Sequence, residues 1–197
     1  NHKIEEVASP EGFEKNPQLV FDFYNARRRQ LDEVKPNEAH HLIAQLETKY
    51  NVTIITQNID DLHERAGSTN VLHLHGELRK CRSSKNPNLI YTCTQDIKLG
   101  DLPSDGNQLR PHIVWFGEAV TEIEKAIAIT QSADLFVIVG TSMVVHPAAS
   151  LLLAVPVDVQ TVYIDNNPDV EEGINLLVIK EKATAGVRIL VEECLPY

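Results

Sequence analysis

An α/β fold, built on a parallel sheet with one small polar module set into it, is what this sequence predicts. Three observations carry that expectation. Helix-spaced apolar segments alternate with short β-branched runs along most of the 197 residues, and such alternation makes a parallel sheet with right-handed crossovers. The run ADLFVIVGTS is nearly continuous in apolar residues, as a buried strand is. Residues 79–110 break the pattern, being polar and rich in turn residues.

The elements follow in order. NPQLVFDFYNARRRQLDEV has apolar residues at helical spacing, with Pro17 near its first turn. PNEAHHLIAQLETKY predicts a second helix, capped by Asn37. NVTIITQN is β-branched and predicts a buried strand. IDDLHERAG predicts a short helix closed by Gly67. NVLHLHGEL alternates, with Leu72 and Leu74 on one face and His73 and His75 on the other. Inside the polar excursion, LIYTC predicts a short strand, and the main pattern resumes at PHIVWFGE. TEIEKAIAITQSA, HPAASLLLAV and AGVRILVEECL predict helices, and QTVYIDNNP and NLLVIKEKA predict strands.

Bulk properties remove several function classes. The chain carries 18 basic against 28 acidic residues, a net charge of −10. Phosphate binding needs a basic footprint, so neither nucleic acid nor an anionic membrane is an expected partner. No apolar run approaches the ~20 residues that span a bilayer, and the opening NHKIEEVASPEGFEKN is polar, unlike a secretory signal. Three cysteines, Cys81, Cys93 and Cys194, do not form a disulfide framework. A cytoplasmic location is the expectation.

In parallel sheets, ligands bind outside the carboxyl ends of the strands. The groups that follow the strands are QNID, HGE, GTS and DNN. Gly140–Thr141–Ser142 is either a phosphate loop or an ordinary strand-to-helix turn. Asp165 either accepts a ribose diol or serves as a turn residue before Pro168. Gln57, Asn58 and Asp60 either fix a polar ring and a sugar or cap the next helix. His75 is a candidate proton acceptor or a structural imidazole, and His73 shares its orientation. Tyr24 and Arg27, three apart on one helix, share a face, and Arg28, four apart, is also placed to share it. They either bind an anion, as a phenol beside a guanidinium fork does, or form a solvated basic helix end.

Taken together, TQNIDDLHERAG, LHLHGEL, RPHIVWFGE and GTSMVVHPAA, in that order, resemble the sirtuins, the NAD-dependent protein-lysine deacylases. The likeness runs from about Glu6 to about Val187. The stretch ASPEGFEKNPQLVFDFYNARRRQ resembles the bacterial class III branch, which removes succinyl and malonyl groups.

The resemblance implies a Rossmann-like parallel sheet with helices on both faces, formed by residues 1–78 and 111–197 with a helical insert near 10–45, and a small inserted module at 79–110. It implies acylated-lysine proteins or peptides as partners, threading the cleft between the two parts, and NAD as cofactor. In the family the acyl oxygen attacks the ribose carbon that bears nicotinamide. A histidine then takes a proton from the ribose hydroxyls, and the products are free lysine, nicotinamide and O-acyl-ADP-ribose. That base matches His75, with Asn58 and Asp60 beside it in the catalytic set. Gln57, Asn58, Ile59 and Asp60 match the nicotinamide and ribose contacts; Gly140, Thr141, Ser142, Asp165 and Ala183 match the rest of the cofactor site. Val114, Phe116, Gly117 and Glu118 match the stretch that adds the substrate peptide as a β-strand, and Val145 matches a further substrate contact. Tyr24 and Arg27 match the pair that receives an acidic acyl group, Arg27 rather than Arg28, which implies a preference for succinyl, malonyl or glutaryl lysine.

Three departures modify these expectations. The family's glycine-rich phosphate loop has no counterpart here, so further residues are expected ahead of Asn1, and without that loop a non-catalytic binder of NAD or ADP-ribose is the alternative function. The family's module holds zinc on two cysteine pairs, whereas only Cys81 and Cys93 fall in this one, so zinc is not expected. Asp165 stands where the family commonly has asparagine. A weaker third reading is a metal-dependent hydrolase using His73, His75 and His112.

Overall fold

The computed structural model describes residues 3–141, 148–168 and 170–195. The chain forms two compact units: residues 1–35, 56–61 and 73–121 in unit 1, and residues 36–55, 62–72 and 122–197 in unit 2.

Unit 1 opens with three helices, α1 (Ile4–Val7), α2 (Pro10–Lys15) and α3 (Pro17–Gln30). Proline occupies the first position of α2 and of α3, where its missing N–H costs nothing. The side chains of Ser9 and Asn16 accept from the backbone N–H groups of Gly12 (3.0 Å) and Leu19 (3.1 Å), capping those helices. In unit 2, α4 (Glu38–Leu46) is capped by Asn37. Then come β1 (Ile54–Thr56), α5 (Leu62–Ala66) and β2 (Val71–His73), with β1 and β2 paired.

Unit 1 also holds β3 (Gly76–Ser83), β4 (Ile90–Thr92) and β5 (Leu109–Ile113), an antiparallel sheet in the order β4-β3-β5. Unit 2 is completed by α6 (Ile123–Gln131), β6 (Leu135–Val139), β7 (Gln160–Ile164), β8 (Leu176–Ile179) and α7 (Ala183–Ile189). Its three strands are parallel and adjacent in sequence order. Ala39 of α4 and Val187 of α7 pack with Val162, Ile164 and Ile179 of that sheet.

Helix α3 organises unit 1 because two neighbouring residues feed two cores. Val20 and Tyr24 pack with Leu31, Leu78, Ile113 and Trp115. Phe21 packs with Cys81, Cys93 and Ile97 of the polar module. Each buried large side chain contributes about 1.5–3 kcal/mol. Polar contacts complete the attachment. Asn25 donates to the Ile97 carbonyl (2.9 Å) and accepts from the Ile97 N–H (3.0 Å). Arg28, 1% exposed, donates from Nε to the Leu78 carbonyl (2.8 Å).

Two elements differ from expectation. The strand expected over 70–78 is broken by a turn at Leu74 and His75. Gly76 has φ +80°, and a Cβ there would collide with the His112 carbonyl oxygen. Backbone of that hand, pressed against another strand, cannot continue a regular strand and admits only glycine. The helix expected over HPAASLLLAV is a 3₁₀ segment over Ala148–Ala154, which Pro156 follows closely; its first residues, His146 and Pro147, lie outside the described set.

Candidate functional site

In unit 1 the loop after β1 and the turn after β2 meet through their backbones. The Leu74 N–H donates to the Thr56 carbonyl (2.9 Å). His75 Nδ1 lies 3.0 Å from the Gln57 carbonyl oxygen, and His73 Nδ1 lies 3.2 Å from that of Asn58. A carbonyl only accepts, so Nδ1 of neutral His75 carries the proton and Nε2 carries the lone pair. That is the tautomer a proton acceptor needs. The loop itself is fastened on both sides. The Leu78 N–H donates to the Ile59 carbonyl (2.8 Å), and Asp61, next to the half-buried Asp60, pairs with Arg79.

The same unit brings the acyl-pocket candidates beside this turn. The Val114 N–H donates to the His75 carbonyl (2.9 Å). One residue on, the Trp115 indole Nε1–H donates to the Tyr24 hydroxyl (3.1 Å). Ile59 packs on the cluster that holds Tyr24 and Trp115. Burial, outweighing the lowering effect of the Trp115 bond, pushes the Tyr24 phenol up to about 12, so it keeps its proton throughout the working range.

The three consecutive arginines have three different fates. Arg28 is buried against neutral acceptors, the Leu78 carbonyl and Asn25 Oδ1 (2.8 Å), and burial holds its pKa below the ordinary value. Arg29 pairs with Asp96 at 2.5 Å. Arg27 is exposed, lies 5.0 Å from the centre of the Phe23 ring, and makes no ion pair among the described residues. The one guanidinium of the three available to a ligand anion is therefore the one that shares a face with Tyr24.

Along the segment 114–117, backbone donors are largely used within the chain. The Phe116 N–H donates to the Ala8 carbonyl (2.9 Å), and the Trp115 N–H to Glu118 Oε2 (2.9 Å). Gly117, at φ +88°, sits in an exposed turn beside the Phe116 ring, which is 64% exposed.

Unit 2 lines up its candidates at the carboxyl ends of the parallel strands. Gly140 follows β6 and Asp165 follows β7, and the Gly140 N–H donates to the Ile164 carbonyl (2.9 Å). Gly140 has φ +61°, and among the described residues nothing beyond its own chain neighbours comes within 4 Å of where a Cβ would stand. The carbonyl of Thr141 accepts from the Tyr163 hydroxyl (2.9 Å). Asp165 Oδ1 accepts from the Asn167 N–H (2.8 Å), so the carboxylate holds its own turn. Ala183 is the first residue of α7, which follows β8. Small backbone at one strand end and a carboxylate at the next fit a dinucleotide's phosphates and ribose.

The Sir2 family model matches residues 1–147. This chain belongs to the Sir2 family, the sirtuins. An NAD-dependent protein deacylase of Helicobacter pylori is 59% identical over 164 residues, covering 83% of this chain and 72% of that protein. An NAD-dependent protein deacylase of Bacteroides thetaiotaomicron is 50% identical over 202 residues, covering 99% and 86%. A crystal structure of a Sir2 homologue–NAD complex superposes with a TM-score of 0.85 at 36% identity, covering 97% of this chain and 77% of that one. The Rossmann-like α/β class expected for this sirtuin agrees with that neighbour and with the parallel sheet of unit 2.

Of the residues singled out from sequence, Tyr24, Arg27, Gln57, Asn58, Ile59, Asp60, His75, Val114, Phe116 and Gly117 fall in unit 1. Gly140, Thr141, Asp165 and Ala183 fall in unit 2. Ser142 and Val145 lie outside the described residues. His73, His75 and His112 do not converge as metal ligands among the described residues. His112 is instead half-buried, and burial pushes its imidazole down to about 4.

The family's zinc does not fit the donors of this module. Cys81 and Cys93 are buried, and among the described residues no third cysteine, histidine or carboxylate stands with them as a ligand. Structural zinc needs four. The hydrogen bond between the two thiols, and then burial, pushes Cys81 up, while the same bond pulls Cys93 down to about 7. Elemental analysis of purified protein is expected to give far less than one zinc per chain; a stoichiometric value would contradict this reading of the pair.

Sequence reasoning passed over Trp115, although it is the one tryptophan in the chain and stands inside a motif quoted above. A tryptophan buried to 2% exposure must satisfy its N–H. That requirement was a usable signal for an acceptor among the pocket residues.

Proposed function

We propose that this sirtuin removes acyl groups from lysine side chains of proteins at the expense of NAD, and that it prefers acidic acyl groups, such as succinyl, to acetyl. The names of its relatives support the deacylation. The acidic preference rests on one observation: Arg27 is exposed and has no ion pair among the described residues, three positions from a Tyr24 hydroxyl held by Trp115.

Bound NAD supplies a ribose carbon from which nicotinamide departs. The chain's own residues do the rest. Gly140, Thr141 and Asp165 take the phosphate and ribose parts, and Gln57, Asn58, Ile59 and Asp60 take the nicotinamide end. His75 Nε2 accepts the ribose hydroxyl proton, while its Nδ1–H stays on the Gln57 carbonyl, which fixes the ring. Tyr24 and Arg27 receive the terminal carboxylate of the acyl group through an O–H donor and a guanidinium fork. The Gly117 turn and the exposed Phe116 ring receive the peptide backbone and the lysine stem.

A charge-assisted pair contributes roughly 1.5–3 kcal/mol, on the order of a tenfold to hundredfold preference. Intact protein, NAD and one peptide carrying either succinyl- or acetyl-lysine test the proposal. The succinyl-to-acetyl ratio of kcat/KM is expected to exceed one and to fall tenfold to hundredfold in Arg27→Met. An unchanged ratio removes the acidic preference, and NAD binding without any turnover would favour a non-catalytic binder.

A further inference from the structure

Tyr24 is 3% exposed, and its hydroxyl oxygen accepts the Trp115 indole N–H at 3.1 Å. Indole N–H is a donor and nothing else. Its bond therefore occupies a lone pair of the phenol oxygen and turns the phenol's own proton elsewhere. No acceptor for that proton is present among the described residues. A buried hydroxyl with an unused donor is costly unless something completes it, and a carboxylate, which only accepts, is the complementary group.

Trp115 is itself held in place. The Arg110 guanidinium stacks over its ring at 3.3 Å from the centre, and the Phe13 ring packs against it at 5.3 Å. Its backbone N–H donates to Glu118 Oε2 (2.9 Å), and the same carboxylate receives both terminal nitrogens of Arg110, at 2.6 and 3.0 Å. The indole cannot swing away without breaking that cluster.

We propose that Trp115 is a positioning residue for acyl-group selection: by filling the acceptor site of the Tyr24 phenol oxygen, it commits the phenol O–H to donate to the carboxylate of an acidic acyl group. This inference rests on the reading of Tyr24 and Arg27 as the receptor for that carboxylate. Trp115 touches no reacting atom. It acts through Tyr24, by fixing the phenol oxygen with a donor so that the O–H points away from the indole. With the donor already aimed, less rotational freedom is lost when the carboxylate arrives. The high pKa of the buried phenol is consistent with a donor that never ionises at working pH.

Steady-state kinetics of the intact chain with NAD and matched succinyl- and acetyl-lysine peptides test it. Trp115→Phe keeps an aromatic ring under Arg110 and deletes the N–H. It is expected to raise KM for the succinyl peptide about three- to tenfold more than KM for the acetyl peptide, with little difference in kcat between them. Tyr24→Phe is expected to do at least as much, and adding Trp115→Phe to it is expected to change the KM ratio no further, because the tryptophan works through the hydroxyl. A second readout needs no variant of Trp115. As the one tryptophan in the chain, it is expected to shift its emission when succinyl peptide binds intact protein, and not when it binds Tyr24→Phe.

Equal KM changes for both peptides, or independent effects of the two substitutions, would mean that Trp115 merely packs, and would overturn the inference. If succinyl preference exists and depends on Arg27 but not on Trp115, only this inference falls. If the intact protein shows no succinyl preference, it falls together with the reading beneath it.

Discussion

His75→Ala is expected to lower turnover of a succinyl-lysine peptide by about 10²–10⁴-fold, the usual contribution of a positioned general base. The structure separates that loss from damage to the fold. His75 is half-buried, and its ring Nδ1 stands 3.0 Å from the Gln57 carbonyl oxygen. Losing one hydrogen bond costs about 1 kcal/mol, which cannot unfold a typical domain. The backbone contacts of the turn, the Val114 N–H on the His75 carbonyl and Gly76 against His112, do not involve the imidazole. The variant should therefore show a near-wild-type unfolding midpoint beside a collapsed rate of lysine release. On the proposed mechanism the proton leaves the ribose only after nicotinamide has departed, so exchange of free nicotinamide into NAD is expected to survive better than lysine release. His73→Ala is the comparison, since its Nδ1 stands on the neighbouring carbonyl of Asn58 but its backbone does not adjoin Val114. A His75→Ala protein that is folded and retains turnover would remove the imidazole from the mechanism; equal losses in both variants would leave the choice of His75 without a basis.

Why the sequence disclosed some of this and hid the rest follows from the range of the forces involved. Caps and helix starts are local, so Pro17 and Asn37 were readable: each acts within three residues of itself. The parallel strands of unit 2 were readable because their runs, as in LFVIV and TVYI, are short and nearly continuous in apolar residues. The turn at Leu74 and His75 was not, because alternation continues straight through it. What stops the strand is Gly76 lying against His112, 36 positions away, and no local pattern encodes that approach. The arginines show the same limit more sharply. On spacing alone, Arg27 and Arg28 were both candidates to share a face with Tyr24. The family likeness favours Arg27, and tertiary contacts give the physical reason, since Arg28 is consumed by Leu78 and Gln95 while Arg27 keeps to solvent. Trp115 went unnoticed for a related reason: its role depends on a partner 91 positions earlier.

Glu118→Gln is expected to destabilise the protein by about 3–5 kcal/mol, the cost of leaving buried charge uncompensated. The Glu118 carboxylate is the shared counter-ion of Arg110, whose side chain is 7% exposed, and of Arg82, at 14%. Glutamine keeps the shape but not the charge, so two shielded guanidinium groups would face one another with no anion between them. The Arg29–Asp96 pair is a useful contrast. Its side chains are 60% and 40% exposed, water screens them, and an exposed pair of that kind contributes little. The sign of the pH dependence follows from the carboxylate. Burial alone would raise the Glu118 pKa, but the Arg110 bonds, the Trp115 N–H and the charge of Arg82 outweigh it and hold the group below the ordinary glutamate value. Stability from Glu118 is then complete above the unfolded carboxylate pKa, about 4.3, and is lost as the pH falls through the lower folded value. Denaturant unfolding of the two proteins should differ by a constant amount from pH 7 down to about 5, and the gap should close only in more acidic solution. A gap that shrinks between pH 7 and 5 would mean that Glu118 takes up its proton early, and that the arginines do not hold it ionised. Since the same carboxylate bears the Trp115 N–H at 2.9 Å, the substitution should also loosen the indole from Tyr24. The loss of stability and the fall in succinyl selectivity would then arise from one anion.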